Sequence, residues 1–517
     1  MLTSKTFTMK HIQKYITVLF LSLTVIGLTS CTKDFVEVNT DPEASPVLEP
    51  AFVFTKAQYD GAKNNLTPIL GAMQYTTSFN DVAGFGSKYL SSQSQQSNAV
   101  FAAAYYQEIN EIGMVIQAVS SDPARINLLA AARIWKAYCF SRITDLYGDI
   151  PYSEAGQGYN SSNYTPAYDA QQAIYADILK ELDESAVSFD AGLATFGSAD
   201  LIYGGDVVKW KKFAYSLMLR LGMRMTKVDP AAAETWVKKA IAGGVITADA
   251  DIAKIDYLNA GQDINKNPIS LFLYNSDYIS ADGKSNIEGG KYQESFITHL
   301  KTNNDPRLAI LSVVYVNGAP DTSAAIQKGM PATLNAKPAD FVTYSEPNQK
   351  TVVLLNAAKL IYSTAETNFL LSEAALRGWY TGSTAAVAYE NGITAAMKQW
   401  AIIAPASGSI TDLQIATYLK YHPLNTSGSF AQQMEQIYTE FWISSFPDAQ
   451  EAFASYRRTG YPALVPNNYV GNGTNGQIFR RMLYPVSEQN LNRASLDAAI
   501  ARQGADDFMT RIWWDKL

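Results

Sequence analysis

The chain has 517 residues, 47% hydrophobic and 17% charged, which excludes a disordered polymer and leaves room for a large core. Its net charge is −7, and loss of an acid-free leader holding Lys5, Lys10 and Lys14 takes this to −10, which excludes a nucleic-acid partner needing a basic face. With only 2 cysteines, one of them closing the leader, an intramolecular disulfide is excluded as well.

In chain order, the first element is a leader over residues 1–30. Lys10 and Lys14 precede an apolar run over residues 16–28, the length of a signal-peptide core and too short to span a bilayer. The run ends in Leu28-Thr29-Ser30-Cys31, which resembles the bacterial lipobox and makes Cys31 the lipidation site. Acyl chains anchor at ~0.8 kcal/mol per buried methylene, and several on one cysteine make a stable tether. Residues 31–50 follow as a polar stalk with Pro42, Pro46 and Pro50. The folded body is expected over 51–517.

Residues 79–98, rich in Ser, Gln, Gly and Asn, read as a loop. Leu128, Ala132, Trp135, Cys139, Ile143 and Leu146 step by three and four residues and predict one apolar helical stripe, with Arg133, Lys136 and Ser141 off it. This places the Cys139 thiol in the core as a small hydrophobe. Gly148 and Pro151 stop that helix. Ile174, Ile178, Leu182 and Ala186 predict another. Trp210, Phe213, Leu217, Leu221 and Met225 predict a third, ending near Asp229-Pro230.

Residues 245–360, rich in Gly, Asn, Asp and Pro, are expected to be loops with short strands, such as 311–316 and 351–355. Ser363 and Glu366 fit a capping box before a helix carrying Phe369, Leu370 and Ala374, with Gly378 at its end. A second helix over about 383–400 completes a pair near the ~34-residue period of tetratricopeptide hairpins. Asp448 and Glu451 fit another capping box. The fold class is therefore mainly α: a single large domain of tetratricopeptide-like helix pairs with long irregular loop excursions and few short strands.

Signals for catalysis are poor. The 3 histidines include His11 of the leader, and His299 and His422 lie in no zinc motif. Gly283-Lys284-Ser285 lacks the earlier glycine of a phosphate loop, because Tyr278 stands there. Asp263, Asn265 and Asn267 begin like a calcium loop, but Pro268 occupies the turn position, so an Asx-rich turn fits better. No cofactor and no metal site is expected. Glu366 with Glu373, or Asp448 with Glu451, are the pairs a glycosidase would use, although capping and arginine pairing explain them better. The pairs Arg457-Arg458 and Arg480-Arg481 are expected to tie the C-terminal region to acidic partners.

Read together, these segments are similar to the SusD/RagB family, the surface glycan-binding lipoproteins of Bacteroidetes. The resemblance rests on Ala131-Ala132-Arg133 through Tyr147-Gly148-Asp149-Ile150-Pro151-Tyr152, and on Trp210-Lys211-Lys212-Phe213-Ala214 through Leu219-Arg220-Leu221. It extends through Glu366 to Gly378, with Asn368-Phe369-Leu370-Leu371-Ser372-Glu373-Ala374, to Phe446-Pro447-Asp448, Arg457-Arg458-Thr459-Gly460-Tyr461-Pro462 and Arg480-Arg481-Met482-Leu483-Tyr484-Pro485. Cys31 and Asn39-Thr40-Asp41-Pro42 match the family's N-terminus.

The resemblance implies a binding protein rather than an enzyme. It implies an outer-membrane lipoprotein at the cell surface, seated on a SusC-like TonB-dependent transporter to which it passes an oligosaccharide, or a peptide as in the RagB-like branch. A surface glycosidase and a protein-interaction scaffold are the rival readings. Two loops carry residues suited to sugar faces and hydroxyls: Phe79, Asn80, Asp81, Phe85 and Tyr89, and Tyr274, Asn275, Asp277 and Tyr278. No tryptophan falls in residues 32–134 or 237–378, so the platforms expected here are Tyr and Phe.

Overall fold

Helix starts and stops follow the local chemistry of the chain. The computed structural model describes residues 49–63, 67–80, 86–90, 94–157, 162–275 and 287–516. Cys31 and the leader and tether residues 1–48 lie outside the described residues. Residues 50–517 form one unit.

Its main helices are α1 (Pro50–Ala62), α2 (Asn110–Val119), α3 (Ile126–Tyr147), α4 (Gln171–Ser188), α5 (Val207–Arg224) and α6 (Pro230–Gly243). They continue as α7 (Thr364–Leu376), α8 (Ala385–Ile403), α9 (Phe430–Ser445), α10 (Ala449–Thr459) and α11 (Arg493–Gln503). Asp206 caps α5 by accepting from the Val208 and Lys209 amides. Asp229 caps α6, whose first residue is Pro230. Gly378 follows α7 at φ +74°, a left-handed conformation that glycine adopts freely.

Consecutive helices pack as pairs: α3 with α4, α5 with α6, α7 with α8. Helix α5 also touches α3, α4 and α7, so it sits at the centre of the array. This is the expected helical scaffold of hairpins. In α4 the predicted stripe of Ile174, Ile178, Leu182 and Ala186 is buried. Helix α3 departs from its expected single stripe. From Ala130 to Tyr147 it is buried on almost every side, and Ser141, expected off the stripe, is buried too. Cys139 is a buried free thiol in the core, and burial pushes its pKa well up.

The polar residues inside this core are paired. Arg220 of α5 grips Glu366 of α7 with two bonds of 2.6 and 2.7 Å. Arg224 of α5 pairs with Asp145 of α3 at 3.3 Å and with Glu451 of α10. Arg458 of α10 holds Glu373 of α7 through bonds of 2.8 and 2.7 Å. Arg142 of α3 reaches Asp448, ahead of α10, at 3.2 Å. Arg480 pairs with Asp515, and Arg481 with Asp506 at 3.0 Å. Arg457 instead donates to the backbone carbonyls of Asp145, Phe453 and Arg480, and burial lowers its pKa to about 9. Such pairs fix which helices meet and at what register, since a misplaced partner leaves a charge buried alone.

Both expected capping boxes are half formed. Ser363 accepts from the Glu366 amide at 3.2 Å, but the Glu366 carboxylate is taken by Arg220. Asp448 accepts from the Gln450 amide at 3.4 Å, while Glu451 turns to Arg224. Reciprocal boxes stand instead at Thr411 with Gln414 and Ser429 with Gln432.

Residues 245–360 are mostly loops with short strands, interrupted by helices Pro268–Asn275, Glu294–Thr302 and Arg307–Leu311. The strand Ser312–Val316 matches the expected one and pairs with Ala319–Asp321 and Glu346–Pro347. The strand expected at 351–355 is a turn instead. The Thr351 and Val353 amides donate to the Asn348 carbonyl, so the apolar run folds back on itself. The loop expected over 79–98 is also shortened, because a helix begins at Ser94. Asn267 accepts from the Ile269 and Ser270 amides and so starts the helix after it, the Asx role expected of it. Among the described residues no helix is long and apolar enough to cross a membrane.

Candidate functional site

Thr76–Ser78 (β1) and Gly290–Tyr292 (β2) pair antiparallel, with Ser78 opposite Gly290. The pairing is short but well backed. Tyr75 stacks on Trp442 at 5.3 Å, and Phe296 meets Trp442 edge-on at 5.2 Å. Tyr292 lies 5.7 Å from Phe446. Such offset and edge contacts between rings add about 0.5–1.5 kcal/mol each beyond area burial. They give β1 and β2 a rigid floor.

The register has a consequence for the two candidate loops. The first leaves β1 at Ser78, and the second enters β2 at Gly290. Their roots, Ser78 and Gly289, therefore lie at the same end of the ladder, although they are 211 residues apart in sequence. Ser78 Oγ donates to the Gly289 carbonyl at 2.6 Å and accepts from the Asn80 amide at 3.1 Å, clamping the two loop roots together.

Phe79 is half-buried, with its ring edge-on to Phe341 at 5.2 Å. Asn80 beside it is exposed. Below them lies a small apolar cluster of Met330, Phe341 and Tyr344, with Phe79 and Leu334 packed on it. Lys291 of β2 is fully buried over the Phe341 ring and pairs with Glu346 at 2.5 Å. Burial lowers the Lys291 pKa, and the Glu346 carboxylate opposes that.

Tyr89 is corrected from a ligand platform to a packing residue. It is 1% exposed, and burial drives its hydroxyl pKa strongly upward. Its carbonyl accepts from the Gly473 amide at 2.8 Å. The chain approaches this point through Gly86, at φ +84°, where a Cβ would lie 1.9 Å from the Pro68 carbonyl oxygen. Tyr274 and Asn275 end the helix Pro268–Asn275 at the far root of the second loop. Asp81, Phe85, Asp277 and Tyr278 lie outside the described residues.

A third segment joins this end of the molecule. Asn467 donates to the Ser87 and Ala332 carbonyls, and Gln74 to the Val465 carbonyl. Lys88 donates to the Phe79 carbonyl at 2.8 Å and lies over the Tyr469 ring at 4.5 Å. Val465 and Val470 are exposed. The Asn and Gly density of residues 467–476 is the sequence signal that marks this loop. No tryptophan is exposed among the described residues.

The two carboxylate pairs considered for a glycosidase are already committed to arginines. Glu373 is held down at about 2 against its burial, chiefly by the Arg458 guanidinium. Asp448 and Glu451 are also lowered, against burial, by Arg142 and by Arg220 respectively. Glu366 is raised by burial but is gripped by Arg220 at both oxygens. A general acid needs a proton to give near the working pH, and these groups serve as structural counter-ions.

A SusD-like family model described as starch-binding and associating with the outer membrane matches residues 42–485. Among solved structures, a chitin-binding protein is 30% identical, covering 91% of this chain and 100% of that chain, with a TM-score of 0.78. A protein described as "Bacteroidetes AC2a SusD-like" is 25% identical, covering 91% of this chain and 100% of that chain, with a TM-score of 0.80. A chitin-binding SusD homolog from Flavobacterium johnsoniae is 25% identical, covering 90% of this chain and 97% of that chain, with a TM-score of 0.71. No curated protein matches the chain. With a family model across most of its length and the same helical fold in these structures, the chain belongs to the SusD-like family.

Proposed function

We propose that the chain is a lipid-anchored, cell-surface protein of the outer membrane that binds an oligosaccharide and passes it to a SusC-like TonB-dependent transporter without covalent chemistry. The observation that carries the binding reading is the pairing of Ser78 with Gly290, which roots both candidate loops at one end of a rigid ladder. Loops held by a rigid scaffold are where recognition residues concentrate. The residues assigned to the ligand are Phe79, Asn80, Asp81 and Phe85 on one loop, and Tyr274, Asn275, Asp277 and Tyr278 on the other. Rings would lie against the C–H faces of the sugars, and the amides and carboxylates would take the hydroxyls.

Two solved relatives are described as chitin-binding, which makes oligomers of N-acetylglucosamine the first ligands to try. Cys31 is the proposed anchor point, and residues 32–50 the stalk that carries the body off the bilayer. The test is a screen of glycans and peptides against the mature chain, followed by Phe79→Ala and Tyr274→Ala singly. Saturable binding of an oligosaccharide that weakens in either variant supports the assignment. Binding of peptides alone would transfer the chain to the peptide-import reading. Hydrolysis of the glycan, abolished by one carboxylate substitution, would make it a glycosidase.

A further inference from the structure

Residues 459–479 carry no charged side chain, in a chain that is 17% charged. Within them the loop 465–476 is exposed at Val465, Asn468, Val470 and Asn475, so burial does not explain the missing charges. Exposed segments are where charged residues ordinarily collect. This one presents side-chain amides instead, each both donor and acceptor, around a single half-buried ring, Tyr469.

The loop is fixed at its roots and within itself. Gln74 holds the Val465 carbonyl, Asn467 holds the Ser87 and Ala332 carbonyls, and the Gly473 amide donates to the Tyr89 carbonyl. Asn472 Nδ2 donates to the Tyr469 carbonyl at 2.7 Å, and its Oδ1 accepts from the Thr474 and Gly476 amides at 3.1 and 2.8 Å. A Cβ on Gly476 would lie 2.7 Å from Asn468 Oδ1, so the two limbs of the loop touch. Asn468, Tyr469 and Asn475 are thus presented together on a settled backbone, and little ordering entropy is lost when a ligand binds.

Lys88 sets the place of the ring. It is 1% exposed, donates to the Phe79 carbonyl at 2.8 Å and lies over the Tyr469 ring at 4.5 Å. One buried ammonium therefore ties Tyr469 to the root of the first candidate loop, and the solvent-facing part of the ring lies away from it. A charged ligand would find no counter-charge on this loop. A neutral polyhydroxylated one finds a ring for its C–H face and amides for its hydroxyls.

We propose that residues 465–476 form a third wall of the ligand surface, where Tyr469 takes the face of one sugar ring and Asn475 bonds its hydroxyls. The proposal rests on the glycan-binding reading above and extends it to a segment that reading does not use. The test titrates chitotetraose into the mature chain and into Tyr469→Ala, Tyr469→Phe and Asn475→Gly, with urea midpoints measured beside each titration. Asn475 stands at φ +53°, where glycine is at ease, so Asn475→Gly removes the amide and keeps the backbone and the midpoint. The expected loss of affinity is about three- to tenfold in Tyr469→Ala and about two- to tenfold in Asn475→Gly. Tyr469→Phe, which keeps the ring, recovers most of the affinity lost in Tyr469→Ala. Parent-like binding by Tyr469→Ala, or an equal loss in Tyr469→Phe and Tyr469→Ala, would overturn the proposal. If Phe79→Ala and Tyr274→Ala weaken binding while Tyr469→Ala and Asn475→Gly do not, the third wall fails and the two-loop surface stands. The reverse pattern keeps the third wall and removes the two loops. A parent that does not bind chitotetraose overturns both.

Discussion

Glu373 shows what single residues contribute to this molecule. It is fully buried and bonded to Arg458 and Tyr438, and its carboxyl is held down at about 2 against an ordinary value of 4.5. Because the folded value is the lower one, its stabilisation is complete above the ordinary carboxylate range. It is lost as pH falls from about 4.5 toward about 2. Glu373→Gln leaves Arg458 buried without its counter-charge and costs about 3–5 kcal/mol at neutral pH. Urea unfolding is the measurement. The midpoint of the parent should fall between about pH 6 and pH 3 more steeply than that of Glu373→Gln. Tyr89 gives a second prediction at this scale. Its ring is core, so Tyr89→Ala should lower stability by about 3–5 kcal/mol, as large aromatic truncations do. A stable Tyr89→Ala that selectively loses ligand would contradict that placement.

Among the elements, the pair α7 and α8 depends on one close approach. A Cβ on Gly392 would lie 2.7 Å from the Phe369 ring, so Gly392→Ala must push the helices apart. The expected loss is about 1–3 kcal/mol, read as a lower urea midpoint at unchanged slope. The existence of these helices was legible because their apolar residues recur at helical spacing. The burial of α3 on all sides was not. Arg142 and Asp145 look like solvent-facing residues until their partners are known. Those partners lie 306 residues away at Asp448 and 79 residues away at Arg224. The strand expected at 351–355 failed for a related reason. Its β-branched composition was outweighed by the Asn348 carbonyl, which draws the chain into turns. The motifs that carried the family resemblance now have a physical meaning. Arg220, Glu366, Glu373, Asp448 and Arg458 are the clamps that lock α3, α5, α7 and α10 together.

For the whole molecule, the first candidate loop was legible where it is described, from its Gly, Asn and aromatic content, whereas Tyr274 and Asn275, expected in a loop, close the helix Pro268–Asn275. The pairing of Ser78 with Gly290 was not legible, because three residues of β1 and three of β2 carry no sequence signal strong enough to pair them. The Asn and Gly of residues 467–476 mark a third loop, but nothing in the sequence places Tyr469 beside Lys88. The proposed anchor point, Cys31, and the proposed ligand loops are far apart in sequence. Cys31→Ser should move the protein from the membrane fraction to the soluble fraction on cell fractionation, while purified Cys31→Ser keeps the glycan affinity of the parent. Retention of Cys31→Ser in the membrane would contradict the lipid anchor.

The loop surface at the end of the ladder is tested most directly by titrating chitotetraose into the mature chain and into a Phe79→Ala/Tyr274→Ala double variant, with unfolding midpoints measured beside each titration. The account predicts saturable binding to the parent, weakened about tenfold or more in the double variant at little change in midpoint. Binding of equal strength to both proteins would contradict it.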